Sequence, residues 1–240
     1  MPVMRMMRLD KFIGDLGIAG RGEARRLIRE GRVAVDGAPV TVCEKKLDAD
    51  TAGVTVDGVE AVYRRFHYYM MDKPAGVLTA TADRHAATVA DLLPPKLRRM
   101  ALFPVGRLDK DTTGLLLLTD DGDFAHRVIS PKSEIPKRYR AQVEGIPDAA
   151  DAAAFRAGLT LGDGTKCLPA ELEITGTDQC CVTVLEGKYH QVKRMLASRG
   201  KPVVALRRLS VGGLFLDEDL GPGGVRELTE NELCIVMNEK

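Results

Sequence analysis

Four consecutive leucines, Leu115 to Leu118, constrain this fold more than any other segment. A strand alternates its side chains between two faces, so an unbroken apolar run must be covered on both. Thr119-Asp120-Asp121-Gly122 then reads as the turn that ends it. Just before the leucines lies Gly106-Arg107-Leu108-Asp109-Lys110-Asp111-Thr112-Thr113-Gly114, with a base and an acid between glycines. A carboxylate at the mouth of a strand buried on both faces costs free energy unless something pairs it or uses it. Asp109 is therefore the residue to explain.

At 240 residues the chain has room for a small module and a larger domain. No apolar run approaches the roughly 20 residues of a membrane span. Arg5 and Arg8 near the start have no apolar core behind them, so no secretory signal is expected. Five cysteines without a Cys-x-x-Cys pair point to a reducing compartment, the cytoplasm, and away from a disulfide framework or a zinc site. The net charge of +1 conceals a sorting along the chain. Arg5 to Arg32 holds eight bases against four acids, and Glu186 to Arg208 seven against one. From Gly213 to Lys240 the balance reverses, seven acids against two bases. Basic surfaces meeting a polyanion fit this sorting, as do solvated helix faces.

Residues 8–17 read as a short helix with Leu9, Phe12, Ile13 and Leu16 on one face. Residues 22–30 read as a second, ended by Gly31. Extended segments follow at Val33-Ala34-Val35, near Val40-Thr41-Val42, and at Val54-Thr55-Val56, with turns at Asp36-Gly37 and Asp57-Gly58. Arg21, Arg25, Arg26 and Arg29 recur at helical spacing and can meet a row of phosphates. Beyond a junction at Ala61 to Arg65, strands are expected at His67–Met71, Arg138–Glu144, Lys166–Ile174, Cys180–Leu185 and Val203–Leu209. Helices are expected at Asp123–Ile129, Asp148–Ala157 and from Thr229 to Met237, with a short one after Thr88. The sum is an α+β chain whose second domain carries a mixed, largely antiparallel sheet flanked by helices.

Several alternatives fail on context. Asp109, Asp111, Thr113, Gly114 and Asp120 fall at calcium-loop spacing, but Phe103-Pro104-Val105-Gly106 cannot be the entering helix. Gly158 to Lys166 lacks the Gly-Lys-Ser/Thr ending of a phosphate loop. His67, His85, His126 and His190 stand apart, none at metal-ligand spacing. The run Glu186-Gly187-Lys188-Tyr189-His190-Gln191-Val192-Lys193-Arg194-Met195 opens a helix with His190, Lys193 and Arg194 on one face. Lys193 or Arg194 can supply the cation that a partly buried Asp109 needs. Tyr139, among Lys137, Arg138 and Arg140, can stack on a nucleobase.

The stretch from Met7-Arg8-Leu9-Asp10-Lys11-Phe12-Ile13 through Glu23-Ala24-Arg25-Arg26-Leu27-Ile28 to Asp36-Gly37 resembles a small RNA-binding module shared by a ribosomal protein and many RNA-modifying enzymes. Gly20 departs from it, standing where that family usually caps the second helix with serine or threonine. Four further motifs are Asp72-Lys73-Pro74-x-Gly76, the Gly106 to Gly122 run, Lys137-x-Tyr139, and Glu186 to Met195. Together these resemble the pseudouridine synthases of bacterial ribosomal RNA, in the branch with an RNA-binding module ahead of the catalytic domain. The motif around Tyr189-His190 is most similar to the small-subunit (16S) enzyme.

The resemblance implies a module at residues 1–62 and a catalytic domain at 63–240. It implies an isomerase of one uridine in ribosomal RNA, free or in a subunit assembly intermediate, working without metal or other cofactor as a monomer away from membranes. Asp109 would act at the ribose, as nucleophile or as base. Lys193 would pair with it, and Tyr139 would stack on the uracil. Arg107 would fill the space left by the flipped base. Lys73, His190, Arg194, Arg21, Arg25 and Arg26 would contact RNA. Large-subunit RNA, or a non-catalytic assembly role, are the alternatives. Asp72, for a more usual asparagine, adds an acid near the site; Ser210, for a common arginine, weakens RNA contact there.

Overall fold

The computed structural model describes residues 5–237; residues 1–4, at the N-terminal stretch considered above, and residues 238–240 lie outside it. The chain divides into two compact units, one of residues up to His67 with Leu93–Leu102, the other of Tyr68–Leu92 with Phe103 onward.

In the first unit, β1 (Met6–Arg8) leads into helix α1 (Leu9–Asp15), and α2 (Arg21–Arg29) follows. Leu9, Phe12, Ile13 and Leu16 are buried as their spacing predicts, against Ala24, Leu27 and Ile28 of α2. Gly20 sits at the N-cap of α2 with no side-chain bond to it, which costs only a few tenths of a kcal/mol relative to a capping side chain. Strands β2 (Val33–Val35), β3 (Ala38–Pro39), β5 (Val54–Val56) and β6 (Val59–Glu60) form a sheet in the order β3-β2-β5-β6, while β4 (Lys46–Asp48) pairs with β1. The strand expected near Val40 is the two-residue β3 just before it. A helical turn, α3 (Pro95–Arg98), comes from the segment that joins this unit from later in the chain.

The second unit is built on one sheet. Its strands are β7 (Tyr68–Lys73), β8 (Phe103–Pro104), β9 (Thr113–Thr119), β10 (Lys137–Val143), β11 (Glu171–Ile174), β12 (Gln179–Val184), β13 (Val203–Val211), β14 (Leu214–Phe215) and β15 (Val225–Glu227). The order is β11-β12-β10-β13-β9-β7-β15, with β14 on β13 and β8 on β9. Among the described residues every pair is antiparallel except β13 with β9. Helices α4 (Gly122–Ile129), α5 (Ala149–Ala157), α6 (Gln191–Ser198) and α7 (Glu230–Met237) flank it.

Leu115 to Leu118 are at most 2% exposed in β9, on both faces as required. The Asp-Asp-Gly turn doubles as the cap of α4: Asp121 Oδ1 accepts from the amides of Asp123 at 3.0 Å and Phe124 at 3.1 Å. The Thr88 box opens only a 3-10 turn, Val89–Leu92, whereas Thr229 and Glu232 form the expected reciprocal bonds at the start of α7. The strand expected over Lys166–Ile174 is confined to Glu171–Ile174, because Pro169 has no amide to donate to a ladder.

Where β13 runs parallel to β9, Arg208 lies opposite Gly114. Gly114 has φ +99°, and a Cβ there would stand 2.2 Å from the Arg208 carbonyl oxygen. Only glycine allows this approach.

Candidate active site

Asp109 lies in the loop that precedes β9, and that loop is tied from behind. Lys73, at the end of β7, is fully buried; its ammonium donates to the carbonyls of Pro74 (3.0 Å), Lys110 (3.3 Å) and Thr112 (3.0 Å). Burial pulls the Lys73 pKa below the ordinary lysine value, against the opposing pull of the Asp111 and Asp109 charges. Gly76 donates its amide to the Lys110 carbonyl at 2.8 Å. The Thr79 hydroxyl donates to the Leu108 carbonyl at 2.7 Å and accepts from the Leu108 amide. With these bonds made, Leu108 is buried and Asp109 keeps about a quarter of its side chain accessible.

The other wall comes from the turn between β12 and α6. Glu186, 5% exposed, accepts from the Leu168 amide and the Gln191 side chain, both at 2.9 Å, and pairs with Lys188 at 2.6 Å. Gln191 in turn accepts from the Lys188 amide at 3.0 Å. Between them His190 takes a left-handed backbone conformation, φ +47°, at the N-cap of α6. A left-handed non-glycine residue costs roughly 1 kcal/mol and is kept where surrounding bonds enforce it. Here it sets His190 Nε2 3.2 Å from Asp109 Oδ1. One turn on, Lys193 Nζ stands 3.0 Å from Asp109 Oδ2 and 2.6 Å from Asp111 Oδ1.

Desolvation lowers the pKa of Lys193, but its hydrogen bonds to Asp111 and Asp109 outweigh that and hold it above the ordinary value. The hydrogen bond from Lys193 holds the Asp111 carboxyl below its usual range, against the opposing effect of burial. The cluster thus carries a lysine that stays charged facing two acids, one partly buried and one exposed.

Asp109 opens onto a cleft whose walls include Arg107, Tyr139, His190, Lys193 and Leu206. Arg107 is exposed, and no hydrogen bond or ion pair among the described residues holds it. Tyr139 is half-buried in β10. A carboxylate beside an aromatic and an aliphatic wall can hold a flat polar ring and act on the atoms at its edge.

The structure therefore brings Asp109, Tyr139, Lys193, Arg107 and His190 into one cleft, from three segments far apart in sequence. It moves other expected residues elsewhere. Lys73 does not reach solvent: it clamps the Asp109 loop and cannot contact RNA as expected. Arg194 pairs with Asp163 at 2.5 Å and does not line the cleft, so of the two candidate cations it is Lys193 that meets Asp109. Ser210 is 3% exposed, so that position has little surface to offer RNA. Asp72 is occupied by Arg207 at 2.8 Å. All four arginines of α2 are exposed; Arg25 bonds Asp10 Oδ2 at 3.0 Å and Arg26 stands 3.9 Å from Glu30.

Asp111, Thr79, Glu186 and Gln191 were not singled out as site residues. Asp111 carried a signal, since it sits two residues from Asp109. Thr79 carried none, because its bond spans 29 residues.

Residues 67–198 match the RNA pseudouridylate synthase family, and residues 7–49 match the S4 domain. The chain belongs to the RNA pseudouridine synthases. It is 43% identical to the ribosomal small subunit pseudouridine synthase A of Escherichia coli over 237 residues, covering 96% of this chain and all of that protein. The enzyme of the same name from Vibrio cholerae is 42% identical over 231 residues, covering 96% and 99%. An uncharacterized RNA pseudouridine synthase of Bacillus subtilis is 46% identical over 237 residues, covering 97% and 99%. A crystal structure of a pseudouridylate synthase, 34% identical, superposes with a TM-score of 0.68 over 96% of this chain and 99% of that one. The chain is thus an isomerase that acts on uridine in RNA, with an S4 RNA-binding domain ahead of its synthase domain. No described helix is long and apolar enough to cross a membrane.

Proposed function

We propose that this synthase isomerises one uridine of small-subunit (16S) ribosomal RNA, with Asp109 as its catalytic carboxylate. The observation that carries the reading is the Lys193–Asp109–His190 cluster in a cleft also lined by Tyr139 and Leu206. The small-subunit assignment draws support from near full-length identity of 42–43% to two enzymes of that name.

The reaction breaks the bond from ribose C1′ to uracil N1 and forms one from C1′ to C5. N1 gains a proton and C5 loses one, so no electron acceptor is required. Asp109 acts at the ribose, as nucleophile at C1′ or as base toward C2′. Lys193, held charged by its two carboxylate partners, pairs with Asp109 at 3.0 Å and orients it toward the ribose. Tyr139, which lines the same cleft, stacks on the uracil in this reading and helps remove the C5 proton. Taking the target out of its stack costs a few kcal/mol, and the unheld Arg107 guanidinium fills the gap it leaves. The arginines of the N-terminal module, residues 1–62, supply phosphate contacts for the catalytic part, residues 63–240. We place the enzyme in the cytoplasm, acting on ribosomal RNA or an assembling subunit as a monomer.

The direct test maps pseudouridines in ribosomal RNA from cells with and without the protein. One small-subunit position should disappear. A loss confined to large-subunit RNA would overturn the substrate assignment.

A further inference from the structure

Beside the cleft, outside its lining, stands an aromatic ring that the catalytic cluster does not use. Tyr189 is 76% exposed, an unusual cost for a ring of this size. Its ring stacks on the imidazole of His190, centroids 3.9 Å apart and planes 17° from parallel. Among the described residues its hydroxyl has no hydrogen-bond partner. The backbone beneath it is fixed: the Tyr189 carbonyl accepts from Arg194 at 3.4 Å, and the flanking Lys188 amide is held by Gln191. One face of the ring is covered by a histidine whose Nε2 stands 3.2 Å from Asp109 Oδ1, and most of the rest is open to solvent. An exposed, preoriented aromatic face beside a nucleic-acid site is the arrangement that binds unpaired bases.

We propose that Tyr189, backed by His190, is a stacking platform for the nucleobase that flanks the target uridine. This rests on the reading of Asp109 as the catalytic carboxylate. When the target leaves its stack for the cleft, its neighbour loses a stacking partner just outside the cleft mouth. Tyr189 replaces that partner. The Tyr189–His190 stack sets this platform next to the carboxylate. Stacking tolerates any base but favours those with a larger π-face, so this platform contributes a preference for a purine at the flank.

The test uses the full-length protein and RNA oligonucleotides spanning the mapped uridine, with 2-aminopurine or an abasic site at each flanking position in turn. Wild type and Tyr189→Phe should quench 2-aminopurine at one flank, and Tyr189→Leu should not. Base–aromatic stacking is worth about 1–3 kcal/mol, so Tyr189→Leu should raise KM by roughly 5- to 150-fold, with the loss in KM rather than kcat. An abasic flank should raise the wild-type KM by a similar factor and add little in Tyr189→Leu. Equal quenching by Tyr189→Leu, or fully additive losses, would overturn the platform. Failure of the wild type to form pseudouridine in these oligonucleotides would instead count against the substrate assignment, while quenching still reports on the platform.

Discussion

At the scale of single residues, the site is a problem of buried charge solved in two ways. Lys73 pays its desolvation with three backbone carbonyls, and Lys193 with two carboxylates. Lys137 is not compensated. It is 7% exposed beside Tyr139, and its ammonium finds no acceptor among the described residues. Burial, with the nearby Arg208 charge adding to it, pushes its pKa down to about 8. The native state therefore binds fewer protons than the unfolded chain between about pH 8 and the ordinary lysine value near 10.4. Over that window the Lys137 contribution must make stability rise with pH, with the full penalty present below pH 8. Lys137→Met should accordingly be more stable than wild type at pH 7, by on the order of 1–3 kcal/mol, and the gap should close as pH approaches 10. Denaturant melts of both proteins across that range measure it, and a pH-independent gap would contradict the assignment.

At the scale of elements, the parallel contact of β13 with β9 sets the cleft, because it brings the strand that carries Leu206 next to the strand that follows Asp109. Gly114→Ala should destabilise the protein by about 3 kcal/mol or more, since backbone atoms of Arg208 cannot move aside as a flexible side chain would. A urea midpoint within a few tenths of a molar of wild type would refute this. The leucine run, the cap at Asp121 and the box at Thr229 were legible in the sequence because each depends on neighbours a few residues away. The pairing of Arg208 with Gly114 and the clamp of Thr79 on Leu108 join distant positions and leave no local pattern. The four motifs marked which segments would meet; only the fold showed that Lys73 faces inward and that Arg194 turns to Asp163.

At the scale of the whole molecule, the chain joins an S4 RNA-binding domain to a pseudouridine synthase domain. Leu93–Leu102 joins the first unit from within the sequence of the second, which no composition shift announces. Replacing Arg21 and Arg26 together by alanine should weaken RNA binding across sequences and reduce the slope of log affinity against log salt by about 1–2. An unchanged slope would remove α2 from the phosphate contacts. The central claim rests on Asp109 and is tested by Asp109→Asn, which keeps the shape and removes the charge. Pseudouridine formation in ribosomal RNA should fall below detection while RNA affinity stays within a few-fold of wild type. Full isomerisation by Asp109→Asn would contradict the account.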